Sequence, residues 1–168
     1  RWVQFGAFCP LFRIHGFRSP NMSAVHTCPV CKSYSCDQSH ETAAWAYGPQ
    51  AEKAIEKMIR AREALRPYIY GQMKVAAETG APVMRPLWFE FPTDPRAMEQ
   101  DVETTQFMMG SQFMIAPVTT YRARAREVYF PQGASWKHHF SGELYQGGTA
   151  ETVAAPYDTP LVFERVSS

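Results

Sequence analysis

From Val3 to Phe12 the chain reads VQFGAFCPLF, apolar almost throughout, rich in aromatic residues and without the three-and-four spacing of a helix. That pattern predicts a buried strand running into a loop that opens at His15-Gly16. Residues 17 to 50 keep no sustained period, and Gly, Pro, Ser, Asn and every cysteine except Cys9 fall there, which predicts a long loop with room for a small local fold. From Pro49 a different rhythm begins. Ala54, Ile55, Met58, Ile59, Leu65, Ile69, Met73 and Ala76 share one face of a long amphipathic helix, kinked or restarted at Pro67 because proline lacks a backbone donor and clashes with the preceding turn. Thr79-Gly80, followed by Pro82, supplies the stop signal.

Beyond the helix, APVMRPLWFEFP predicts a second buried strand over Val83 to Phe91, and Thr93 to Phe107 a short acidic helix after the turn PTDP. Strand, loop, helix and strand then make one βαβ unit. After Gly110 the pattern becomes a series of short apolar runs, QFMIAPV, REVYFP and LVFER, separated by turn-rich stretches, as in an antiparallel β-sandwich. The fold class is therefore α/β followed by β, with the boundary placed at residue 115: one domain over 1–115, a second over 116–168.

Composition narrows the function classes. The 168 residues suffice for one domain, or for one domain and part of another, and are too few for a complete large enzyme fold. With 45% hydrophobic and 14% aromatic residues and a formal net charge of +1, the chain has the profile of a globular protein and no electrostatic footprint for nucleic acid. Its one basic cluster, Arg122, Arg124 and Arg126, alternates along a predicted strand and reads as a solvated face. No apolar run approaches the roughly 18 residues that span a bilayer, so no membrane partner is expected. The chain opens on Arg1 without Met, in mid-strand on this reading, and is expected to be a piece of a longer protein; localisation and oligomeric state stay unassigned.

Two constellations carry chemistry. Glu90 and Asp94, at the exit of the second predicted strand, are the nearest approach to a pair of carboxyls that could divide acid and base roles. VHTCPVCKSYSCDQSH offers His26, Cys28, Cys31, Cys36 and His40, of which Cys28, Cys31, Cys36 and His26 could hold a structural zinc ion. A disulfide between two of the cysteines and free thiols in a reducing compartment are equally open readings. Cys9, inside the apolar run, reads as a small buried hydrophobe.

RWVQFGAFCPLFRIHG, ETAAWAYG, LRPYIY, TGAPVMRPLWFEFPTDP, QFMMGSQFMIAPV, REVYFPQGASW and APYDTPLVF, in this order, resemble glycoside hydrolase family 31, the retaining α-glucosidases and α-xylosidases. Only the Cys-rich stretch 21–40 departs strongly, as an insertion. The resemblance implies the C-terminal part of a catalytic (β/α)8 TIM barrel followed by the start of a β-sandwich, with the first strand as the seventh of the barrel. Two strands cannot close a barrel, so Val3 to Phe12 and Val83 to Phe91 are expected to be unpaired apolar edges. His15 of the R-x-H motif then contacts the sugar, Arg13 supports or contacts it, and Phe12, Phe17 and Trp45 offer apolar walls. The family's two catalytic aspartates lie before Arg1, which makes Glu90 and Asp94 structural, leaves no catalytic residue in the chain, and predicts that it is inactive alone. No cofactor is required on this reading, and the partner is a carbohydrate with α-linked glucosyl or xylosyl units; the form GAFCPLFRIHG is somewhat closer to bacterial enzymes acting on xylosides. The alternatives are a non-catalytic carbohydrate-binding homologue of the same fold, and a small zinc-stabilised interaction module.

Overall fold

Residues 1–14, 17–18, 40–41 and 44–166 are described in the computed structural model of the chain. The first segment is not a strand. Trp2–Gly6 is a short helix, α1, continued by a turn: the Phe5 amide donates to the Arg1 carbonyl at 3.0 Å and the Ala7 amide to Val3 at 2.9 Å. Its buried side is made by Gln4, Ala7 and Phe8 with half-buried Val3, a helical spacing hidden in the sequence by the polar Gln4. Gln4 is buried because its amide is used twice, accepting from Arg1 at 2.9 Å and donating to the Tyr157 carbonyl at 2.9 Å.

Phe17–Arg18 (β1) pairs antiparallel with His40–Glu41 (β2), bringing the two ends of the Cys-rich stretch together. A 3-10 turn over Ala44–Tyr47 leads to α2, Pro49–Ala64, and then α3, Arg66–Thr79. The break falls at Leu65, and Pro67 sits in the first turn of α3, where its missing donor costs no intrahelical bond. Gly80 ends the helix in the left-handed conformation at φ 78°. Of the predicted apolar face, Ala54, Met58, Leu65 and Ile69 are buried, whereas Ile59 and Met73 are exposed.

The second predicted strand is also replaced. Only Met84–Arg85 (β3) is extended; after Pro86, Leu87–Glu90 forms a helical turn, α4, which places Leu87 and Phe91 four residues apart on one buried side. The acidic helix is broken into a 3-10 turn, Pro95–Met98, and α5, Gln100–Glu103. The rest is sheet: β4 (Phe107–Met109), β5 (Phe113–Ile115), β6 (Ala125–Phe130), β7 (Ser135–His138), β8 (Leu144–Gln146), β9 (Thr149–Ala154) and β10 (Val162–Val166). Six strands run in the order β3-β4-β5-β10-β7-β8, and β6 pairs with β9 as a separate ribbon. Among the described residues every strand pair is antiparallel, so the expected βαβ unit is absent there and the apolar edges foreseen at Val3–Phe12 and Val83–Phe91 do not arise. The six-stranded sheet crosses residue 115 and takes in strands from Met84 onward.

The sheet separates two cores. Phe107, Met109, Phe113, Ile115 and Val162 face Ala7, Phe8, Met58, Leu65 and Ile69 of the helical side. Met108, Met114 and Phe163, the alternate positions, face Val128, Phe130 and Val153 of the ribbon together with Trp136 and Tyr145. Gln106 joins the layers: its side chain donates to the Tyr129 carbonyl at 2.7 Å and accepts from the Tyr129 amide at 2.8 Å, as a strand backbone would. Of the three arginines expected on a solvated face, Arg122 and Arg124 precede β6 and are exposed, but Arg126 turns inward to the carbonyls of Pro117 at 2.6 Å and Thr105 at 3.0 Å. It covers backbone oxygens that the ribbon leaves facing the protein.

Gly110, in the β4–β5 hairpin, lies at φ 60°, and a Cβ there would stand 2.2 Å from Tyr68 Oη. Tyr68 donates to the Met109 carbonyl at 2.9 Å and accepts from the Gln112 amide at 3.2 Å, pinning α3 to the hairpin. Gly110→Ala should lower unfolding stability by roughly 1–3 kcal/mol through overpacking, with added strain from the left-handed backbone; urea titration measures it.

Candidate functional site

The segment expected to face substrate leaves α1 through an irregular turn, Ala7 to Leu11. One side chain from another element holds that turn. Arg62, in the last turn of α2, donates from Nη1 to the Ala7 carbonyl at 2.8 Å and the Cys9 carbonyl at 2.7 Å, and from Nη2 to the Pro10 carbonyl at 2.9 Å. Its guanidinium also lies over the Phe12 ring, 5.4 Å from the centroid. Burial lowers the Arg62 pKa, and burial raises that of the neighbouring Cys9 thiol, whose Sγ donates to the Phe5 carbonyl.

Of the residues singled out for sugar contact, Phe12 is half-buried, with its ring packed on Gly6 and Arg62, and Arg13, next in the chain, is exposed. Trp45 is 64% exposed on the 3-10 turn that leads into α2. His15, Cys28, Cys31, Cys36 and His26 lie outside the described residues, as do the side chains of Phe17 and His40. Among the described residues no three of His, Cys, Asp and Glu are grouped to hold a metal ion, and no helix is long and apolar enough to cross a membrane. A small, partly open pocket between Arg1, Gln4, Phe5 and Leu161 has about 10 Å³, room for one water and not for a sugar ring.

Both carboxylates of the candidate pair, Glu90 and Asp94, are engaged in structural contacts. Glu90 accepts from Arg85 at 2.6 Å in a nearly buried ion pair, and Arg85 also donates to the Pro82 carbonyl at 2.7 Å and to Gln72 at 3.4 Å. This knot ties the end of α3 to β3 and α4. Asp94 is 3% exposed and accepts from Tyr129 Oη at 2.7 Å, the Gln132 amide at 2.8 Å and the Arg96 amide at 3.1 Å. Burial, then its bond to Asp94, raises the Tyr129 pKa, so the phenol remains the donor.

Arg62 was not singled out by its sequence context, although a signal existed: it follows Met58 by four positions and precedes Leu65 by three, a cation on the apolar stripe of α2. Arg85, between buried Val83 and Leu87, is the same signal at a period of two.

With the geometry in place, comparison with known proteins identifies what the chain is part of. Residues 1–72 match the glycosyl hydrolases family 31 TIM-barrel domain, and residues 80–167 match the glycosyl hydrolase family 31 C-terminal domain. The chain belongs to glycosyl hydrolase family 31. Among family 31 proteins it is 35% identical to alpha-glucosidase 2 of Bacillus thermoamyloliquefaciens over 100% of this chain and 18% of that protein. It is 30% identical to the alpha-xylosidase of Saccharolobus solfataricus over 98% of this chain and 19% of that protein. A family 31 alpha-xylosidase from a soil metagenome, complexed with xylose, superposes with a TM-score of 0.84 at 36% identity, over 99% of this chain and 24% of that one. The family 31 dextranase of Flavobacterium johnsoniae, complexed with isomaltotriose, gives 0.79 at 31%, over 99% of this chain and 18% of that one. The chain thus spans about a fifth of the length of these relatives, as a piece of the family 31 barrel and C-terminal domain.

Two predictions concern the buried polar groups. Asp94→Asn places an amide where three donors converge and should cost roughly 1.5–3 kcal/mol of stability by denaturant titration. His138 is 3% exposed, and its Nδ1 accepts from the Ser141 amide at 3.0 Å and the Phe140 amide at 3.3 Å. Burial above all depresses its pKa below the usual 6.5. The unfolded chain therefore binds a proton at 6.5 that the folded ring refuses, so its stability contribution is complete above that pH and is lost as pH falls through the lower folded value. Unfolding measured between pH 7 and pH 5 should show a steeper loss for the native sequence than for His138→Asn, which keeps an acceptor and cannot titrate.

Proposed function

We propose that the chain supplies the end of the catalytic barrel and the proximal part of the following sandwich to a retaining α-glycoside hydrolase acting on α-linked glucosyl or xylosyl units. The observation that carries this reading is the combined match to barrel and C-terminal domain across nearly the whole chain, at similar identity to an alpha-glucosidase and to an alpha-xylosidase structure holding xylose. Within it, a domain change near Gly80, earlier than residue 115, is the reading supported by the end of α3 there and by the separate matches to residues 1–72 and 80–167. On the family resemblance the two reactive carboxyls lie outside these residues, a reading supported by the engagement of Glu90 with Arg85 and of Asp94 with Tyr129.

His15 contacts the sugar on this reading. One ring nitrogen that donates and one that accepts can fix a pair of hydroxyls, and such contacts tighten as the sugar flattens toward its oxocarbenium-like transition state. Arg13, Phe12 and Trp45 complete that wall. No cofactor takes part; a zinc ion on Cys28, Cys31, Cys36 and His26 would brace the loop without entering the reaction.

The longer protein containing this chain should release glucose or xylose from the 4-nitrophenyl α-glycosides, with the α-anomer appearing first in the proton NMR spectrum. An inverted product, or no hydrolysis of either glycoside, overturns the reading, the latter in favour of a non-catalytic homologue. His15→Ala should lower kcat/KM about a hundredfold, as for loss of a preorganised donor.

A further inference from the structure

We infer that Arg62 is a positioning residue for this hydrolase: by clasping the turn after α1 it aims the segment from Phe12 onward at the sugar. The inference rests on the glycosidase reading above and adds to it a residue that touches no substrate.

Three observations carry it. The first is the donor set. One planar guanidinium binds three carbonyls of the same turn, those of Ala7, Cys9 and Pro10, at 2.7 to 2.9 Å. A rigid fork that meets three acceptors fixes them relative to each other as well as to α2, which a point charge on a flexible stem cannot do. The second is the anchoring of the clasp. Arg62 lies between Met58 of α2 and Leu65 at the C-cap of that helix, both buried in the core shared with β4, β5 and β10, so the guanidinium projects from an anchored helix end. The third is the direction of transmission. The Phe12 ring closes over the guanidinium and against Gly6, where an added Cβ would stand 3.1 Å from the ring, and Arg13 leaves the clasp directly. Within the turn Phe8 and Cys9 donate to Phe5 and Gly6 at 3.1 Å each, and Ala7 and Phe8 are buried in the core, so the part that depends on Arg62 is Cys9 to Leu11. A turn of this kind, freed from Arg62, can shift by the ångström that costs a preorganised site about a hundredfold in rate.

The test is a double-mutant cycle in the longer protein, using Arg62→Lys with His15→Ala and 4-nitrophenyl α-glycosides as substrates. If Arg62 acts by aiming this segment, Arg62→Lys lowers kcat/KM by about tenfold or more when His15 is present and by less than about twofold when His15 is already alanine. Equal factors in both backgrounds, or no effect in the first, overturn the inference. Hydrogen exchange supplies a readout independent of activity: amides of residues 7–12 should exchange faster in Arg62→Lys while those of β4, β5 and β10 stay protected, and uniform loosening would assign Arg62 to global stability and overturn the inference. Arg62→Gln repeats both measurements, and failure of both variants to fold overturns it likewise. An inactive native protein sinks the glycosidase reading alone, and the exchange pattern still decides whether Arg62 holds the turn.

Discussion

Burial of β4, β5 and β10 on both faces is the constraint from which the rest of the chain takes its place. A strand with one wet face alternates apolar and polar residues; Phe107-Met108-Met109 and Phe113-Met114-Ile115 do not alternate, because successive side chains enter different cores. One core needs a cover of helices and the other a cover of sheet. Ala7, Phe8, Met58, Leu65 and Ile69 provide the first, Val128, Phe130 and Val153 the second. Stacking of Phe130 on Tyr145 at 4.5 Å, with Phe163 edge-on to both, packs the second core beyond what area alone would supply.

Joining two layers to one sheet leaves backbone and side-chain polar groups at the seams, and long polar side chains inserted into apolar stripes satisfy them. Gln4 and Arg1 reach the carbonyls of Tyr157 and Ala155, Gln106 pairs with the backbone of Tyr129, and Arg85 binds Glu90 while reaching toward Gln72 of α3. Each is half-buried or buried, and each would leave donors or acceptors stranded if truncated. The seam between the barrel part and the C-terminal sheet is therefore specified by hydrogen bonds as well as by apolar contact.

These same residues explain what the sequence revealed and what it concealed. The helix pair over residues 49–79 was legible because its stripe is long and its stops, Pro67 and Gly80, act locally. The antiparallel strands after residue 110 were legible from short apolar runs between turns. Val3–Phe12 was misread because Gln4 breaks an otherwise helical set of Val3, Ala7 and Phe8, and a segment of about ten apolar residues cannot be assigned by periodicity alone. Val83–Phe91 was misread because Pro86 ends the pairing after two residues and Leu87 and Phe91 share a side only in a helical turn. Family membership was legible from ordered motifs, which depend on identity and spacing along the chain. The candidate site was less so: Phe12, Arg13 and Trp45 could be named from motif context, but Arg62 acts across 55 residues of chain on Ala7, and no local pattern reports such a contact.

The geometry also sets which part of the molecule serves as the reference for the segment that leaves α1 at Phe12. Its path is short: the six-stranded sheet buries Met58 and Leu65, these hold α2, Arg62 projects from α2 to the turn at Ala7–Pro10, and Phe12 leaves that turn. Among the described residues its position is thus inherited through one core, one guanidinium and the hydrogen bonds of α1 to Ala155 and Tyr157. A rearrangement of the C-terminal sheet would then be felt at Phe12 through α2, and a change at the ends of the β6–β9 ribbon through α1, whose Arg1 and Gln4 bind the carbonyls of Ala155 and Tyr157. On the glycosidase reading this gives the C-terminal domain a physical part in substrate binding without contributing a side chain to the sugar. It supplies the fixed surface against which the edge of the barrel is held.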